Sequence, residues 1–231
     1  MPPIQSKQNP LVKRIREAIR EHRREIVLEG PKQVSDAVAA GWKAIAVIER
    51  DVDLSAAVFD TLAETREPQG MLGLFHRPHS SASAILARRD TVVVALDGVQ
   101  DPGNVGTIVR LAAAFDAAGV LLLPPCADPF GPKAIRASAG AILNVPVASI
   151  TAAELLACGL PLFATAMAGD VADPPSSNAV ILFGNEGAGV SEELLRQANR
   201  LAIPMTPRIE SLNVASSAAI LLSRSYQLRV S

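Results

Sequence analysis

The chain has 231 residues, a formal net charge of −1 and 49% hydrophobic residues, so it can bury a sizeable core but cannot present a uniformly basic surface to nucleic acid. Aromatic residues make up only 3%, which leaves Ala, Val, Leu and Ile to fill the core and suits close packing of helices on strands. No apolar run reaches membrane-spanning length, and the two cysteines, Cys126 and Cys158, lack metal-ligand spacing and are expected as buried reduced thiols.

The opening residues contain no apolar signal segment, because Lys7 soon leads into a charged stretch; the expectation is a soluble, cytoplasmic protein. Residues 9–24 are predicted as an amphipathic helix with Leu11, Ile15, Ala18 and Ile19 on one face, Asn9 as N-cap and Pro10 in the first turn. Within residues 1–30 seven cations stand against four anions. That local excess is a candidate nucleic-acid patch; the structural alternative is a solvated helix with Glu–Arg pairs such as Glu17 with Arg20. A strand over 25–29, a helix over 33–40, a strand over 42–48, a helix over 54–63 and a strand over 71–75 then complete a small α/β module. Residues 77–90, rich in Ser, Ala and Arg, are predicted as a partly helical linker, and His76 and His79 at its start lack a third ligand, so no metal is expected.

From residue 92 onward short apolar runs recur at 92–96, 120–123, 143–145, 162–165, 180–183 and 201–203, with helical patterns between most of them. Strands apolar on both faces predict a mainly parallel, doubly wound sheet, with its site at the carboxyl ends of the strands.

Three loops in this unit stand out. The first, LDGVQDPGNVGTIVR at 96–110, runs from strand to helix through Gly103 and Gly106, which permit close backbone approach; Asn104, Thr107 and Arg110 recur at steps of three. It lacks the G-x-G-x-x-G spacing of a dinucleotide site, which argues against a nucleotide-dependent oxidoreductase. An N-cap Asn104 with an exposed Arg110 explains the loop about as well as function does. The second, ILFGNEGAGVSEELL at 181–195, sets Glu186 among Gly184, Gly187 and Gly189 at a strand's end. Ser191, Glu192 and Glu193 are explained there as a helix cap and first turn; Glu186 is not. The third, IPMTPRIESLNVASSAAILL at 203–222, gathers Glu210, Ser211 and Asn213 at a helix entrance.

Together and in order, these loops resemble the three signature motifs of the SpoU (TrmH-type) RNA 2′-O-ribose methyltransferases of the SPOUT superfamily. Asn104 and Arg110 match the first motif, Glu186 in GNEG the second, and Ser211 and Asn213 in ESLN the third. GPKAIRASAGA at 131–141 also looks familiar from this family, and the opening IQSKQNPLVKRIREA is similar to its N-terminal RNA-binding domain. The resemblance implies an N-terminal RNA substrate-binding domain over 1–78, a linker over 79–90, and over 91–231 a parallel-sheet domain with a C-terminal trefoil knot. It implies a homodimer whose active site is shared between subunits, S-adenosylmethionine as cofactor, and RNA as partner, leaning toward rRNA over tRNA. A tRNA enzyme, or a catalytically silent RNA-binding or ribosome-assembly factor, is the alternative.

By the same resemblance, Arg110, Asn104, Glu186, Ser211 and Asn213 are catalytic. Gly184, Ile203 and Leu212, with Thr165, Ala166 and Met205, are expected to hold the donor. Lys7, Lys13, Arg14, Arg16, Lys133 and Arg136 are expected to contact RNA phosphates. Arg110 is either the base, as the family proposal has it, or a clamp on phosphate and forming alkoxide; no histidine lies in the motifs to serve instead.

Overall fold

The computed structural model describes residues 2–231 except 64, 66, 168, 170–172 and 207. The chain divides into two compact units, Met1–Pro78 and His79–Ser231.

The first unit contains α1 (Pro10–Glu21), β1 (Glu25–Glu29), α2 (Pro31–Ala39), β2 (Ala44–Glu49), α3 (Ala56–Phe59) and β3 (Met71–His76). Its strands form an antiparallel sheet ordered β1-β3-β2. The Asn9 side chain accepts from Leu11 N and starts α1 at Pro10, as the Asn-Pro pair requires. Val12, Ile15 and Ala18 are the buried residues of α1, so the buried stripe is centred one position from the expected one, with Leu11 and Ile19 packed at its margins. The helix expected over 54–63 shrinks to α3, because Leu54 forms bridges to Ile4 and Arg50.

The second unit opens with α4 (Ala82–Ala87), formed by the stretch expected as a partly helical linker; its Ile85 is buried in the core under the sheet. There follow β4 (Val92–Asp97), α5 (Pro102–Ala114), β5 (Val120–Leu123), α6 (Pro132–Ser138), a 3-10 turn at Ala141–Leu143, and β6 (Val147–Ser149). Then come α7 (Ala152–Leu156), β7 (Leu162–Thr165), β8 (Ala179–Gly184), α8 (Glu192–Leu195), β9 (Asn199–Leu201) and α9 (Val214–Val230). The strand expected at 143–145 is displaced to 147–149: Pro146 has no N–H to donate, and its carbonyl accepts from Val120 N at 2.9 Å where β6 enters the sheet. The strand expected at 201–203 ends at Leu201.

All six strands of the second unit are parallel, in the order β6-β5-β4-β8-β7-β9. Alternation divides the strand residues between two covered faces. Val93, Ala95, Val180 and Leu182 join the core that includes Leu155 and Leu194, while Val94, Leu96, Ile181 and Phe183 are also fully buried. Helix α9 packs on α5 and on β8. Gly106 sets the approach of α6 to α5, since a Cβ there would lie 2.2 Å from Ala134 O. From β4 the chain proceeds outward to β5 and β6, yet β8 returns to β4's other side. The crevice of such a sheet opens at that change of direction, outside the carboxyl ends of β4 and β8.

Candidate active site

At that crevice the loops leaving β4 and β8 are joined by hydrogen bonds. Asn185 Nδ2 donates to Gly98 O at 2.8 Å, and Ser191 N donates to Asp97 Oδ2 at 2.7 Å. The loop after β8 closes on itself, with Asn185 N donating to Gly189 O at 3.0 Å and Gly189 N donating back to Asn185 O at 2.9 Å. A Cβ on Gly184 would lie 2.1 Å from both Gly189 C and Val190 N. The space its side chain would take is therefore filled by its own loop.

Asp101, not Asn104, is the N-cap of α5: its side chain accepts from Asn104 N at 3.0 Å, and Pro102 occupies the first turn. Asn104 thus lies inside the first turn, and its amide is free to reach across the crevice. Its Nδ2 donates to Glu186 Oε1 at 2.9 Å, and its Oδ1 accepts from Asn213 Nδ2 at 3.2 Å. Glu186 also accepts from Gln100 N at 3.4 Å and Asp101 N at 3.3 Å. Burial is the largest single influence on the Glu186 carboxyl and opposes its ionisation. The hydrogen bonds from Asn104, then from the main chain at 186, 101 and 100, together outweigh it and hold the pKa below the usual carboxylate range. Asn213 caps α9 through Oδ1, which accepts from Ala215 N at 2.9 Å and Ser216 N at 3.3 Å. One residue from each of the three loops is therefore in a single chain of hydrogen bonds.

The other candidates are placed differently. Arg110 is exposed and makes no hydrogen bond or ion pair with any described residue. It lies six residues beyond Asn104 on α5, roughly 9 Å along the axis and on a different side of the helix. Thr107, between them, turns its hydroxyl back onto Gly103 O at 2.7 Å. Ser211 is exposed outside regular structure, two residues before the Asn213 cap of α9, and Pro207 in the same loop lies outside the described residues.

Thr165 ends β7 and Ala166 follows it, Ile203 and Met205 follow β9, and Gly184 ends β8; these three strands are neighbours in the sheet. Ala166 N donates to Leu201 O at 3.1 Å, which holds the first two chain ends together. Leu212 is half-buried immediately before the Asn213 cap. Met167 and Met205 are 77% and 40% exposed, leaving an uncovered apolar rim at this end of the sheet.

Of the expected phosphate contacts, Lys7, Lys13 and Arg16 are exposed and have no hydrogen bond or ion pair among the described residues. The Arg14 fork is engaged by Glu25, with Nη2 to Oε1 at 2.6 Å and Nε to Oε2 at 3.0 Å, and this contact is the chief influence holding the Glu25 carboxyl down. The anticipated Glu17–Arg20 pair is replaced by Arg20 with Glu21. Lys133 binds Asp101 at 2.7 Å, and Arg136 is exposed on α6. Asp101 itself was not among the expected site residues, although an Asp-Pro pair after a strand is a readable cap signal. Cys126 and Cys158 are free and half-buried, and burial pushes the Cys126 thiol up.

A family model describing the SpoU rRNA methylases matches residues 91–223. The chain belongs to the SpoU rRNA methylase family. Membership brings S-adenosylmethionine-dependent methylation of RNA. Among its SpoU relatives is the 23S rRNA (guanosine(2553)-2′-O)-methyltransferase RlmP of Bacillus subtilis, 36% identical over 184 residues, covering 76% of this chain and 71% of the relative. Another is the 23S rRNA (adenosine(1067)-2′-O)-methyltransferase of Streptomyces laurentii, 34% identical over 181 residues, covering 74% and 67%. The AdoMet-bound rRNA methyltransferase of Sinorhizobium meliloti superposes with a TM-score of 0.87 at 33% identity, covering 97% of each chain. The donor fits what this SpoU chain offers: a rim of exposed apolar side chains over adjoining strand ends, backed by main chain at 202–206 outside regular structure.

Among the described residues, no helix is long and apolar enough to cross a membrane, and no cluster of His, Cys, Asp and Glu could hold a metal ion.

Proposed function

We propose that this chain transfers a methyl group from S-adenosylmethionine to the 2′-hydroxyl of a ribose in ribosomal RNA, in the cytoplasm. The observation that carries the reading is the hydrogen-bonded chain Asn213–Asn104–Glu186, which unites three loops at the switch point of a SpoU sheet. The donor, when bound, supplies a sulfonium methyl carbon already activated for in-line displacement. The chain's task is to align the ribose oxygen with it and to ease the loss of the hydroxyl proton; alignment alone can contribute up to roughly 7–11 kcal/mol.

Gly184, Thr165, Ala166, Ile203, Met205 and Leu212 would grip the donor, largely through main chain at the ends of β8, β7 and β9. Asn104 and Asn213 would orient the ribose. Glu186 is ionised, and its low pKa makes it a poor proton acceptor but a fixed anchor for Asn104. Arg110 would hold an RNA phosphate and stabilise the oxygen as charge develops, because a guanidinium keeps its proton and offers a planar fork. Ser211 would close on the target from the third loop.

Arg110's exposure, away from the Asn104 network, supports a homodimer in which it serves the donor site of the second chain. So does α9, where Ile220 and Leu228 are exposed at 38% and 51%. The return of β8 between β4 and β7, with β9 outside β7, supports a knotted C-terminal region. Residues 1–78 would bind RNA through Lys7, Lys13 and Arg16, with Arg14 contributing only where phosphate displaces Glu25. Residues 91–231 would carry the chemistry. The two 2′-O-methyltransferase relatives act on different nucleotides, a guanosine and an adenosine, so the nucleotide whose ribose this chain methylates would be set by its own RNA contacts.

The test is transfer of labelled methyl to unmodified rRNA and, in parallel, tRNA. A 2′-O-methyl blocks the attack by which alkali cleaves RNA, so label is expected in alkali-resistant dinucleotides from rRNA. Label in mononucleotides would place the methyl on a base, label from tRNA alone would change the substrate, and none at all would leave an RNA-binding factor.

A further inference from the structure

We infer that Lys133 is a positioning residue for methyl transfer, acting through Asp101 on Asn104 and Glu186, and not a contact to RNA phosphate. The inference rests on the methyltransferase reading above. Both carboxylate oxygens of Asp101 and its main-chain N–H are turned toward that network. Oδ2 takes the Lys133 ammonium at 2.7 Å, Oδ1 accepts from Asn104 N at 3.0 Å, and its own N–H donates to Glu186 Oε1 at 3.3 Å. The residue between them leaves room for this geometry. A Cβ on Gly103 would lie 2.7 Å from Asp101 Oδ1 and 3.3 Å from Lys133 Cε, so a side chain there would push into the pair.

Lys133 is also held from behind. It precedes Ala134, whose carbonyl meets Gly106 where α6 packs on α5, so the ammonium reaches Asp101 from a backbone fixed relative to Asn104. The pair is half-exposed, at 59% and 45%, and ion pairs of that kind add little to stability. Its effect is geometric: it fixes which way the Asp101 carboxylate faces, and with it the first turn that carries Asn104. The ammonium is the first influence holding the Asp101 carboxyl below the usual range, with the Asn104 N–H next, so both favour the anion that the pair needs.

The experiment compares the full chain with Lys133→Met, Lys133→Arg, Asp101→Asn and the Lys133→Met/Asp101→Asn double variant. Single-turnover methyl transfer, RNA affinity across a salt series and S-adenosylmethionine affinity are read for each. Lys133→Met is expected to slow the saturated rate about tenfold, with RNA affinity, its salt slope and donor affinity unchanged. Lys133→Arg restores most of the rate. Asp101→Asn keeps a capping side chain, so the fold survives, and it matches Lys133→Met; the double variant is no slower than either alone, because both remove one interaction. The inference is overturned if Lys133→Met instead weakens RNA binding and lowers the salt slope by about one at an unchanged saturated rate, or if the two effects multiply. A wild-type chain that methylates no RNA overturns the methyltransferase reading, and this role with it.

Discussion

Helix α5 carries two kinds of polar residue. At its first turn Asn104 spends its amide on Glu186 and Asn213, and Asp101 spends its carboxylate on Lys133 and the helix N-terminus. Six residues on, Arg110 carries a full charge into solvent with no partner among the described residues. The first region is closed and shapes the crevice; the second is open and has its hydrogen bonds still to make. A site that must bind a phosphate and stabilise a developing oxyanion benefits from that division, because groups already satisfied need no reorganisation and groups left free have full binding strength for the substrate.

The closed region should break hardest at its backbone. Gly184→Ala puts a methyl group 2.1 Å from the main chain of its own loop, and the loop cannot stay closed around it. The expected cost is about 3 kcal/mol or more, with loss of donor binding, read by urea unfolding and calorimetry. A variant as stable as the parent would show that the loop is looser than its contacts indicate.

Next comes the side-chain link. Asn104→Ala should slow methyl transfer by about a hundredfold and let the Glu186 carboxyl rise toward the ordinary glutamate value, observable by carbon NMR of the carboxyl group. A pKa depressed by folding adds stability that is present above the unfolded value and is lost as pH falls through the folded one. The variant should therefore lose stability at neutral pH and show a weaker dependence on acid. An unmoved Glu186 titration would remove Asn104 from the network.

The smallest effect belongs to the first unit. Arg14 and Glu25 form a bidentate pair as well made as any at the crevice, but on a solvated surface. Arg14→Met should change stability by less than about 1 kcal/mol in urea unfolding. A larger loss would mean that this pair ties α1 to β1 more firmly than exposed ion pairs do.

The same division explains what could be read from the sequence. Continuous apolar strands such as β4 and β8 announce a parallel sheet because both of their faces are buried, and three ordered motifs locate the crevice. The Asp101 cap was readable from its Asp-Pro pair but was passed over for Asn104, whereas the Lys133 pair stayed hidden, since a contact across 32 residues leaves no periodic trace. Gly184 was legible as unusual, but its packing on its own loop was not: a glycine packed that way looks the same in sequence as one facing a ligand. Residues 143–145 were misplaced because apolar character does not show that pairing with β5 starts only at the Pro146 carbonyl.

The division between closed and open groups is tested most directly by Arg110→Ala, with S-adenosylmethionine affinity and the single-turnover methyl-transfer rate measured on one preparation. Donor affinity and melting temperature should match the wild type, while the rate falls by at least about a thousandfold. A variant that still methylates rRNA at the parent rate, or one that loses the donor along with the rate, would contradict the assignment of Arg110 as the group reserved for substrate.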